Sequence, residues 1–362
     1  MVCEFIESFL EGDKESLERH QEVKLLLIPV LVSKQIPFPI IPHPIIGILR
    51  TLLQARDYER RFIGSFFTTH VYAYKMPLKQ LEPLIEDSLH VYKELYERCS
   101  IDDLAVLIAE THMHLGMLSN RRRESSNRFS EALKILKSLE AREEGYYRSV
   151  GFLYLHRGKK ALRFGMVKVA LENSKKALGY FKRARYKKLI REAYDSLLRS
   201  SYLLELDEAK EYASLLAQSV PREPNALVYL AITYLFTGFE ELYERIEDDL
   251  RDLPPITPAP ITLAKIYASV AEDREESLKR LASFTRLPDP LISSLAFIIA
   301  GRIDVSVERA RNSFLKALNN SIRAKLYDIA KLSILEAKKK GVDKNTLEKM
   351  LHILSEEIKR NL

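Results

Sequence analysis

The chain has 362 residues, of which 46% are hydrophobic and 30% charged, and its formal net charge is +7. This composition is typical of a soluble protein with a continuous core, and a helical repeat stack of this length can form one body. The two cysteines, Cys3 and Cys99, lie far apart and lack the spacing of a metal-binding pair. We therefore expect neither a disulfide framework nor a structural zinc site, and a reducing cytoplasm as the location.

The N-terminal segment lacks the features of an export signal or a membrane span. Residues 1–11 carry three glutamates and no basic flank, which argues against a secretory signal. The apolar stretches 25–32 and 36–49 are too short, or too often broken by proline, to cross a bilayer. The chain is rich in Leu, Ile, Lys, Arg, Glu and Tyr and has no Trp, a bias that resembles proteins of hyperthermophiles.

The first hundred residues are predicted to be a divergent helical region. Helices are expected over 15–32, 45–67 and 78–98, and between the first two lies a segment with four prolines in eight residues. Proline at this density forbids a helix. This apolar loop, 36–44, either packs on the protein's own first helices or forms an exposed strip for a partner or a second copy of the chain. The residues of that strip would be Pro37, Phe38, Pro39, Ile40 and Ile41.

From residue 101 onward the pattern predicts helical hairpins. The scarcity of glycine and the lack of alternating strand patterns favour an all-α fold. Two closing helices, 322–340 and 345–360, flank Gly341, and the last is polar enough to cap an exposed core. The predicted hairpins are 101–118 with 128–139, 145–163 with 167–183, 189–204 with 208–219, 226–236 with 240–250, 261–270 with 275–284, and 292–301 with 307–319.

A repeat period is visible in the second half of the chain. Pro221, Pro255 and Pro288 are 34 and 33 residues apart, and Tyr234 and Tyr267 each precede the next proline by 21. The sequence around the two tyrosines also recurs. A fixed period of this size indicates a stack of helical hairpins. The recurring motifs are Leu230-Ala231-x-x-Tyr234 and Leu263-Ala264-x-x-Tyr267.

These residues resemble the tetratricopeptide-repeat family. Small residues stand at its helix-crossing positions, and Gly or Ala there lets two backbones approach. The resemblance covers about residues 101–322 and implies a right-handed α-solenoid, with the divergent region 1–100 before it and capping helices over 323–362. The pattern departs from the family in lacking the large aromatic near the start of each first helix. The matching positions are Gly158, Gly165, Ala170, Ala177, Leu178, Leu230, Ala231, Tyr234, Gly238, Pro255, Leu263, Ala264, Tyr267, Pro288, Ala310, Phe314 and Ala317.

No catalytic motif is present, so we expect a protein that is not an enzyme and needs no cofactor or metal. The glycine-rich phosphate loops, the HExxH zinc motif and the GxSxG nucleophile motif are all absent. His112 and His114 are two residues apart, which places them roughly 200° apart on a helix and prevents them from sharing a metal. Polar groups that converge on a pocket, as catalysis requires, are not evident.

Charge is strongly uneven along the chain. Residues 157–191 contain thirteen bases and a single acid, Glu172, whereas residues 205–256 contain twelve acids and four bases. Lysines that merely solvate a helix exterior would have acids among them, because ion pairs at i,i+4 are favourable. Their near absence favours a functional basic surface. The thirteen bases are Arg157, Lys159, Lys160, Arg163, Lys168, Lys175, Lys176, Lys182, Arg183, Arg185, Lys187, Lys188 and Arg191.

The leading hypothesis is a non-catalytic adaptor whose basic middle docks on a polyanion. RNA, or an RNA-rich particle such as a ribosomal subunit, is the most concrete candidate, since tyrosines are interleaved with the bases. The acidic segment 205–256 would contact basic proteins, and the proline-rich strip could form a homodimer. The alternative is a protein–protein scaffold whose concave Lys159, Arg163 and Arg191 grip an acidic peptide or a C-terminus. A third class, a sensor domain, would need a closed ligand pocket.

Overall fold

The protein is an all-α helical-repeat solenoid. The computed structural model describes residues 2–13, 20–32, 43–73, 81–119, 121–139, 144–219, 224–250 and 258–360. Those residues form 19 α-helices and contain no strand, which confirms the predicted fold class. The chain divides into two compact units, residues 1–153 and 154–362. The boundaries predicted from the repeat pattern, at residues 100 and 322, stay predictions.

In the part of the chain that the structure describes, no helix combines the length and the apolar character needed to cross a bilayer.

Unit 1 is built from seven helices and the first part of an eighth. α4 continues into a π-helical turn, Phe67–Tyr72. The proline-rich strip, Pro37 to Ile41, lies outside the described residues, so its two interpretations both stay open. The helices are α1 Val2–Glu11, α2 Gln21–Val32, α3 His43–Leu53, α4 Tyr58–Phe66, α5 Glu82–Cys99, α6 Asp102–Leu118, α7 Arg122–Ser138 and α8 Glu144–Arg163.

The sequence does not predict α1, and two of the helix boundaries that differ from the prediction have a clear local cause. The helix expected over 45–67 is two helices, because the side chain of Asp57 accepts a hydrogen bond from the Glu59 N–H and starts α4 as its N-cap. The turn expected over 119–127 is shorter, and α7 begins at Arg122. There the Ser119 hydroxyl accepts a hydrogen bond from the Arg121 N–H at 3.1 Å and shapes the turn.

An aromatic cluster forms the centre of unit 1. The ring centroid of Phe9 on α1 lies 5.4 Å from that of Phe62 and 5.3 Å from that of Phe66, both on α4, in edge-to-face contacts. α3 and α4 approach closely at Gly64, where an added Cβ would lie 2.8 Å from the Leu52 Cβ. Large aromatic side chains therefore anchor α1 in the core, and one glycine lets α3 and α4 cross closely.

A disulfide joins Cys3 on α1 to Cys99 at the end of α5, with their Cα atoms 5.5 Å apart. The expectation that the chain would hold no disulfide is wrong. The two cysteines are 96 residues apart, and only the tertiary packing of α1 brings them together. Disulfides are typical of oxidising compartments and of intracellular proteins of hyperthermophiles. The expected reducing cytoplasm therefore loses its main support and stays a prediction.

Unit 2 consists of the remainder of α8 and eleven further helices that pair as successive hairpins. The predicted helices agree with the observed ones to within a few residues, except that α17 extends to Arg323 and includes Ile322. The helices are α9 Val167–Arg183, α10 Lys187–Leu203, α11 Glu208–Ser219, α12 Pro224–Thr237, α13 Glu240–Leu250, α14 Ala259–Ala268, α15 Arg274–Phe284, α16 Pro290–Ile303, α17 Val307–Arg323, α18 Tyr327–Lys339 and α19 Lys344–Arg360.

Small residues allow the hairpins of unit 2 to close. A Cβ added to Gly158 on α8 would lie 2.9 Å from the Ser174 Oγ on α9, and one added to Gly301 on α16 would lie 2.5 Å from the Phe314 ring on α17. Neither position has room for a side chain unless the helices move apart. Gly158 is among the small-residue positions singled out from the sequence.

A buried ion pair ties four inner helices of unit 2 together. Arg302 on α16 donates from Nε to Glu336 on α18 at 2.9 Å, and from Nη1 and Nη2 to the carbonyls of Leu235 and Phe236 at the end of α12. Tyr202 on α10 donates its hydroxyl to the same glutamate at 2.7 Å. Burial raises the pKa of Glu336, but Arg302 and these hydrogen bonds outweigh burial and hold it below its usual range.

Replacement of Arg302 with Met should lower the free energy of unfolding by about 3–5 kcal/mol, because it leaves the buried Glu336 carboxylate with only the partly exposed Lys339, 3.4 Å away, as a cation. The double variant Arg302→Met/Glu336→Leu should recover most of that loss. Arg311→Met is the matched control, since its pair with Glu308 is exposed and is worth about 1 kcal/mol or less. Chemical denaturation followed by circular dichroism measures all three, and a cost below about 1 kcal/mol for Arg302→Met contradicts the account.

Opening the disulfide should destabilise unit 1. A closed loop of this length restricts the unfolded chain by about 4–5 kcal/mol, so the double variant Cys3→Ala/Cys99→Ala should unfold at correspondingly lower denaturant. A reductant should weaken the wild type by a similar amount and leave the double variant unchanged. Equal midpoints for reduced and oxidised wild type would show that the bond carries no stability.

Candidate functional site

The thirteen bases singled out from the sequence lie on α8, on α9, on the turn between α9 and α10, and at the start of α10, all within unit 2. Three of them are half-buried, namely Arg157, Lys159 and Arg191, and Lys160 is buried. The side chain of Lys188 lies outside the described residues. The structure thus does not place the whole set on one surface. The exposed members are Arg163, Lys168, Lys175, Lys176, Lys182, Arg183, Arg185 and Lys187.

Five of the exposed bases share the solvent side of α9. The opposite side of this helix is buried, with Ala170, Ser174, Ala177 and Phe181 at helical spacing. Glu172 is the single acid on α9. Seven-residue steps separate three of the lysines, so the first and last are about 21 Å apart along the axis. We call Lys168, Lys175, Lys176, Lys182 and Arg183 the basic face.

A pair of stacked tyrosines borders the basic face. The rings of Tyr154 on α8 and Tyr180 on α9 have centroids 5.7 Å apart and planes 11° from parallel. Lys176 Nζ lies 5.5 Å from the Tyr154 centroid, and Arg183 Cζ lies 5.9 Å from the Tyr180 centroid. Both rings are partly exposed. The arrangement is a short aromatic platform with a cation against each ring.

Lys175 and Lys159 each form an ion pair with an acid on a neighbouring helix. Lys175 Nζ lies 3.1 Å from Glu208 Oε2 on α11, and about half of each side chain is exposed. Lys159 Nζ lies 2.6 Å from Glu192 Oε2 on α10. Exposed pairs of the first kind contribute about 1 kcal/mol or less. The contact between Lys175 and Glu208 therefore neutralises the basic face only in part.

Lys160 cannot belong to a docking surface, contrary to the sequence-based assignment, because it is only 3% exposed. It lies on the side of α8 that packs inward, next to Ala161 and Leu162, and its Nζ lies 5.2 Å from the Phe164 ring centroid. Burial, assisted by the nearby charge of Arg163, lowers the pKa of Lys160 to about 8. The count of bases along the sequence could not separate this residue from its exposed neighbours.

The inner side of unit 2 carries its own acids next to the bases expected to be concave. Burial raises the pKa of Glu192, but Lys159 outweighs burial and keeps it below its usual range. On α10, Asp195 Oδ1 accepts from Arg199 at 2.9 Å and from Thr233 on α12 at 2.6 Å. In these contacts acids neutralise the neighbouring bases, which distinguishes the inner side from the basic face.

The acidic segment 205–256 is displayed on the helices that follow α9. Residues 220–223 and 251–257 lie outside the described part of the chain, and so do the side chains of 248–250. α11 and α13 are second helices of their hairpins, as α9 is, so charge changes sign along the outer helices. The exposed acids in the described part are Glu205, Asp207, Glu208, Glu211, Glu240, Glu241, Glu244 and Glu247.

Sequence reasoning missed the partners of these bases, although a signal for them was present. Lys159 and Glu192 are 33 residues apart, and so are Lys175 and Glu208. The pairs Arg199–Thr233 and Arg302–Glu336 are 34 residues apart. The period of the prolines is thus also the separation of polar partners in neighbouring hairpins, and it could have located them.

Comparison with known proteins supports the fold alone and indicates no function. No family model matches the chain, and no curated protein matches it. The solved structure of selenomethionine-labelled phAimR has a TM-score of 0.52 and 14% sequence identity, over 84% of this chain and 75% of that one. An engineered protein and a circular tandem repeat protein have TM-scores of 0.22 and 0.21, too low to indicate a shared arrangement. Membership of the tetratricopeptide-repeat family stays a prediction.

Lys160 should titrate near pH 8, and stability should depend on pH accordingly. The folded state then binds fewer protons than the unfolded state between pH 8 and the usual lysine range, so the free energy of unfolding should rise with pH there. Reductive ¹³C-methylation followed by NMR measures the pKa, and the resonance that is lost in Lys160→Arg identifies the residue. Titration of that resonance near 10.5 contradicts burial of the amine.

Proposed function

We propose that this protein is a non-catalytic helical-repeat adaptor that docks on RNA through the basic face. The fold itself is compatible with a non-catalytic interaction scaffold, and solenoids of this kind present extended surfaces built from successive repeats. The observation that carries the proposal is the stacked pair Tyr154–Tyr180, with Lys176 and Arg183 against its rings, at the edge of a helix face that bears five bases and one acid.

The charge of the basic face suits a phosphate backbone. Its lysines lie in a row about 21 Å long, on one rigid helix, with side chains that reach into solvent. Such a row contacts several phosphates of one strand at once and releases the counterions that they hold. Like charges this close repel one another, and a bound polyanion relieves that repulsion.

The tyrosine pair favours RNA over an acidic protein. Proteins that recognise single-stranded nucleic acid combine a basic track with aromatic rings on which bases stack. A peptide of aspartates and glutamates has no base or ring that could stack on these partly exposed tyrosines. In the alternative scaffold, Lys159, Arg163 and Arg191 bind an acidic peptide on the concave side. The acids of that side disfavour such a peptide, and Lys159 is already paired with Glu192.

A ribosomal subunit is an RNA-rich particle that would offer both partners of a charge-polarised solenoid. The basic face would contact the RNA, and the exposed acids of α11 and α13 would contact the basic proteins of such a particle. The proposed homodimer rests on the strip Pro37–Ile41, which lies outside the described residues. We therefore keep the dimer as a prediction that the oligomeric state in solution tests.

Charge reversal on the basic face should abolish most RNA affinity. The variant Lys168→Glu/Lys176→Glu/Lys182→Glu changes three exposed side chains of α9. Binding of a fluorescent 20-nucleotide single-stranded RNA is followed by anisotropy at several KCl concentrations. Wild type should lose affinity steeply as salt rises, and the variant should bind weakly with a slope smaller by about 2, since each phosphate contact contributes roughly 0.7.

The matched control is Lys279→Glu/Lys325→Glu/Lys349→Glu, which makes the same change of charge at exposed positions on α15, after α17, and on α19. It should bind RNA nearly as wild type does. Equal loss in both variants would mean that net charge alone drives binding, and unchanged binding in the α9 variant would refute the proposed face. Binding of poly-glutamate but not of RNA would favour the scaffold alternative.

The tyrosine platform should contribute stacking without phosphate contact. Replacement of Tyr154 and Tyr180 with Leu should weaken RNA binding by about tenfold and leave the salt slope unchanged, because each stacked base contributes about 1–3 kcal/mol. The same anisotropy titration measures both quantities. An affinity equal to that of wild type would show that the rings only pack against each other.

A further inference from the structure

Unit 1 contains a solvent-accessible cavity of about 500 Å³ that the proposed RNA surface does not use. Its volume lies within the range of small-molecule sites, and it opens widely to solvent. Three guanidinium groups line it, together with two carboxylates and one imidazole. The residues that matter for the argument are His112, Arg121, Arg123, Glu124, Arg128 and Glu131.

Rigid elements hold this cavity. α6 and α7 pack closely, because Gly116 on α6 faces the Phe129 ring on α7, where an added Cβ would lie 3.2 Å from the ring. Ser125 on α7 donates its hydroxyl to the Gly116 carbonyl at 2.7 Å. The lining residues of α7 thus project from a helix that cannot shift easily against α6.

A turn holds the start of α7, and neither Arg121 nor Arg123 forms an ion pair with another described residue. Ser119 Oγ accepts from the Arg121 N–H and donates to Glu124 Oε2 at 2.9 Å, so this carboxylate is engaged at the turn. Arg128 contacts Glu86 on α5 at 3.3 Å. No side chain caps the N-terminus of α7, where backbone N–H groups and the helix dipole favour an anion.

His112 on α6 is the second observation that points to a ligand. Its side chain is 6% exposed, it lines the cavity, and its Nδ1 has no hydrogen-bond partner among the described residues. By contrast, Glu110 on the same helix accepts hydrogen bonds from both His70 and Ser149. An unpaired buried nitrogen costs about 1–3 kcal/mol, and Nδ1 is closed off from solvent as the ring stands, so a rotation of the ring that brings it to a ligand in the cavity would offset that cost.

The protonation of His112 is set by burial and by charges on two neighbouring helices. Burial lowers its pKa to about 4, and the positive charges of Lys93 on α5 and Arg128 on α7 contribute in the same direction. The ring is therefore neutral near pH 7 and offers an unshared hydrogen-bonding nitrogen rather than a charge. Anion binding in the cavity falls to the arginines, and recognition of a neutral polar group falls to His112.

We propose that this cavity binds a small phosphorylated ligand. The phosphoryl group would lie between Arg121 and Arg123 at the start of α7, where two guanidinium forks match its oxygens. A hydroxyl or amino group of the same molecule would bond to His112. The inference is independent of RNA docking, because α6 and α7 belong to unit 1 and the basic face belongs to unit 2.

Binding is tested by isothermal titration of the full chain with ribose 5-phosphate, inorganic phosphate, ribose and citrate. Ribose 5-phosphate should bind best, inorganic phosphate more weakly, and ribose and citrate not measurably at about 1 mM. Arg121→Ala and Arg123→Ala should each weaken ribose 5-phosphate by about tenfold or more, and Arg56→Ala, an exposed arginine of unit 1, should not.

His112→Phe separates a binding role from a structural one. It should reduce the preference for ribose 5-phosphate over inorganic phosphate while the affinity for phosphate itself persists, and circular dichroism should show an intact fold. If this variant does not fold, the arginine variants still decide the matter. The α9 triple variant Lys168→Glu/Lys176→Glu/Lys182→Glu should bind ribose 5-phosphate as wild type does.

Three results would overturn the inference. One is the absence of measurable binding of either phosphate-bearing probe. Another is binding that Arg121→Ala and Arg123→Ala do not alter. The third is binding of citrate as tight as that of ribose 5-phosphate, which would assign the cavity to carboxylates. None of these results bears on RNA binding, so the two proposals can fail separately.

Discussion

The buried ion pair between Arg302 and Glu336 is the constraint on which the rest of unit 2 depends. The Arg302 guanidinium donates hydrogen bonds to two carbonyls at the end of α12 and to the Glu336 carboxylate on α18. The same carboxylate accepts a hydrogen bond from the Tyr202 hydroxyl on α10. A charged pair that is withdrawn from water is stabilising only when its geometry satisfies nearly every polar atom, so it permits few other arrangements of these helices. The inner helices fixed in this way hold the outer ones that pack on them, including α9.

The 33–34-residue period describes both the packing and the polar contacts of unit 2. It is readable from Pro221, Pro255 and Pro288, and it recurs as the separation of Lys159 from Glu192 and of Arg302 from Glu336. Hairpins were therefore predictable, since local periodicity and turn residues determine them. The Cys3–Cys99 disulfide and the break before Asp57 were not, because the first depends on tertiary packing and the second on one capping side chain.

The candidate site was predictable as a stretch of sequence but not as a surface. Composition alone shows that bases crowd residues 157–191, and helical spacing correctly places Lys168, Lys175 and Lys182 on one side of α9. It does not show that Lys160 points inward, since that depends on which side of α8 meets its neighbours. Nor did it reveal the cavity beside His112, which arises where α6 and α7 meet. From the sequence, His112 was considered only as a metal ligand.

The central claim is that RNA lies across α9 and the Tyr154–Tyr180 platform. Ultraviolet cross-linking of the protein to single-stranded RNA, followed by mass spectrometry of the peptide–nucleotide adducts, tests it most directly. The account predicts adducts on Tyr154, Tyr180 and the peptides of α9 that carry the basic face. Adducts confined to other helices, or none under conditions in which RNA is bound, would contradict it.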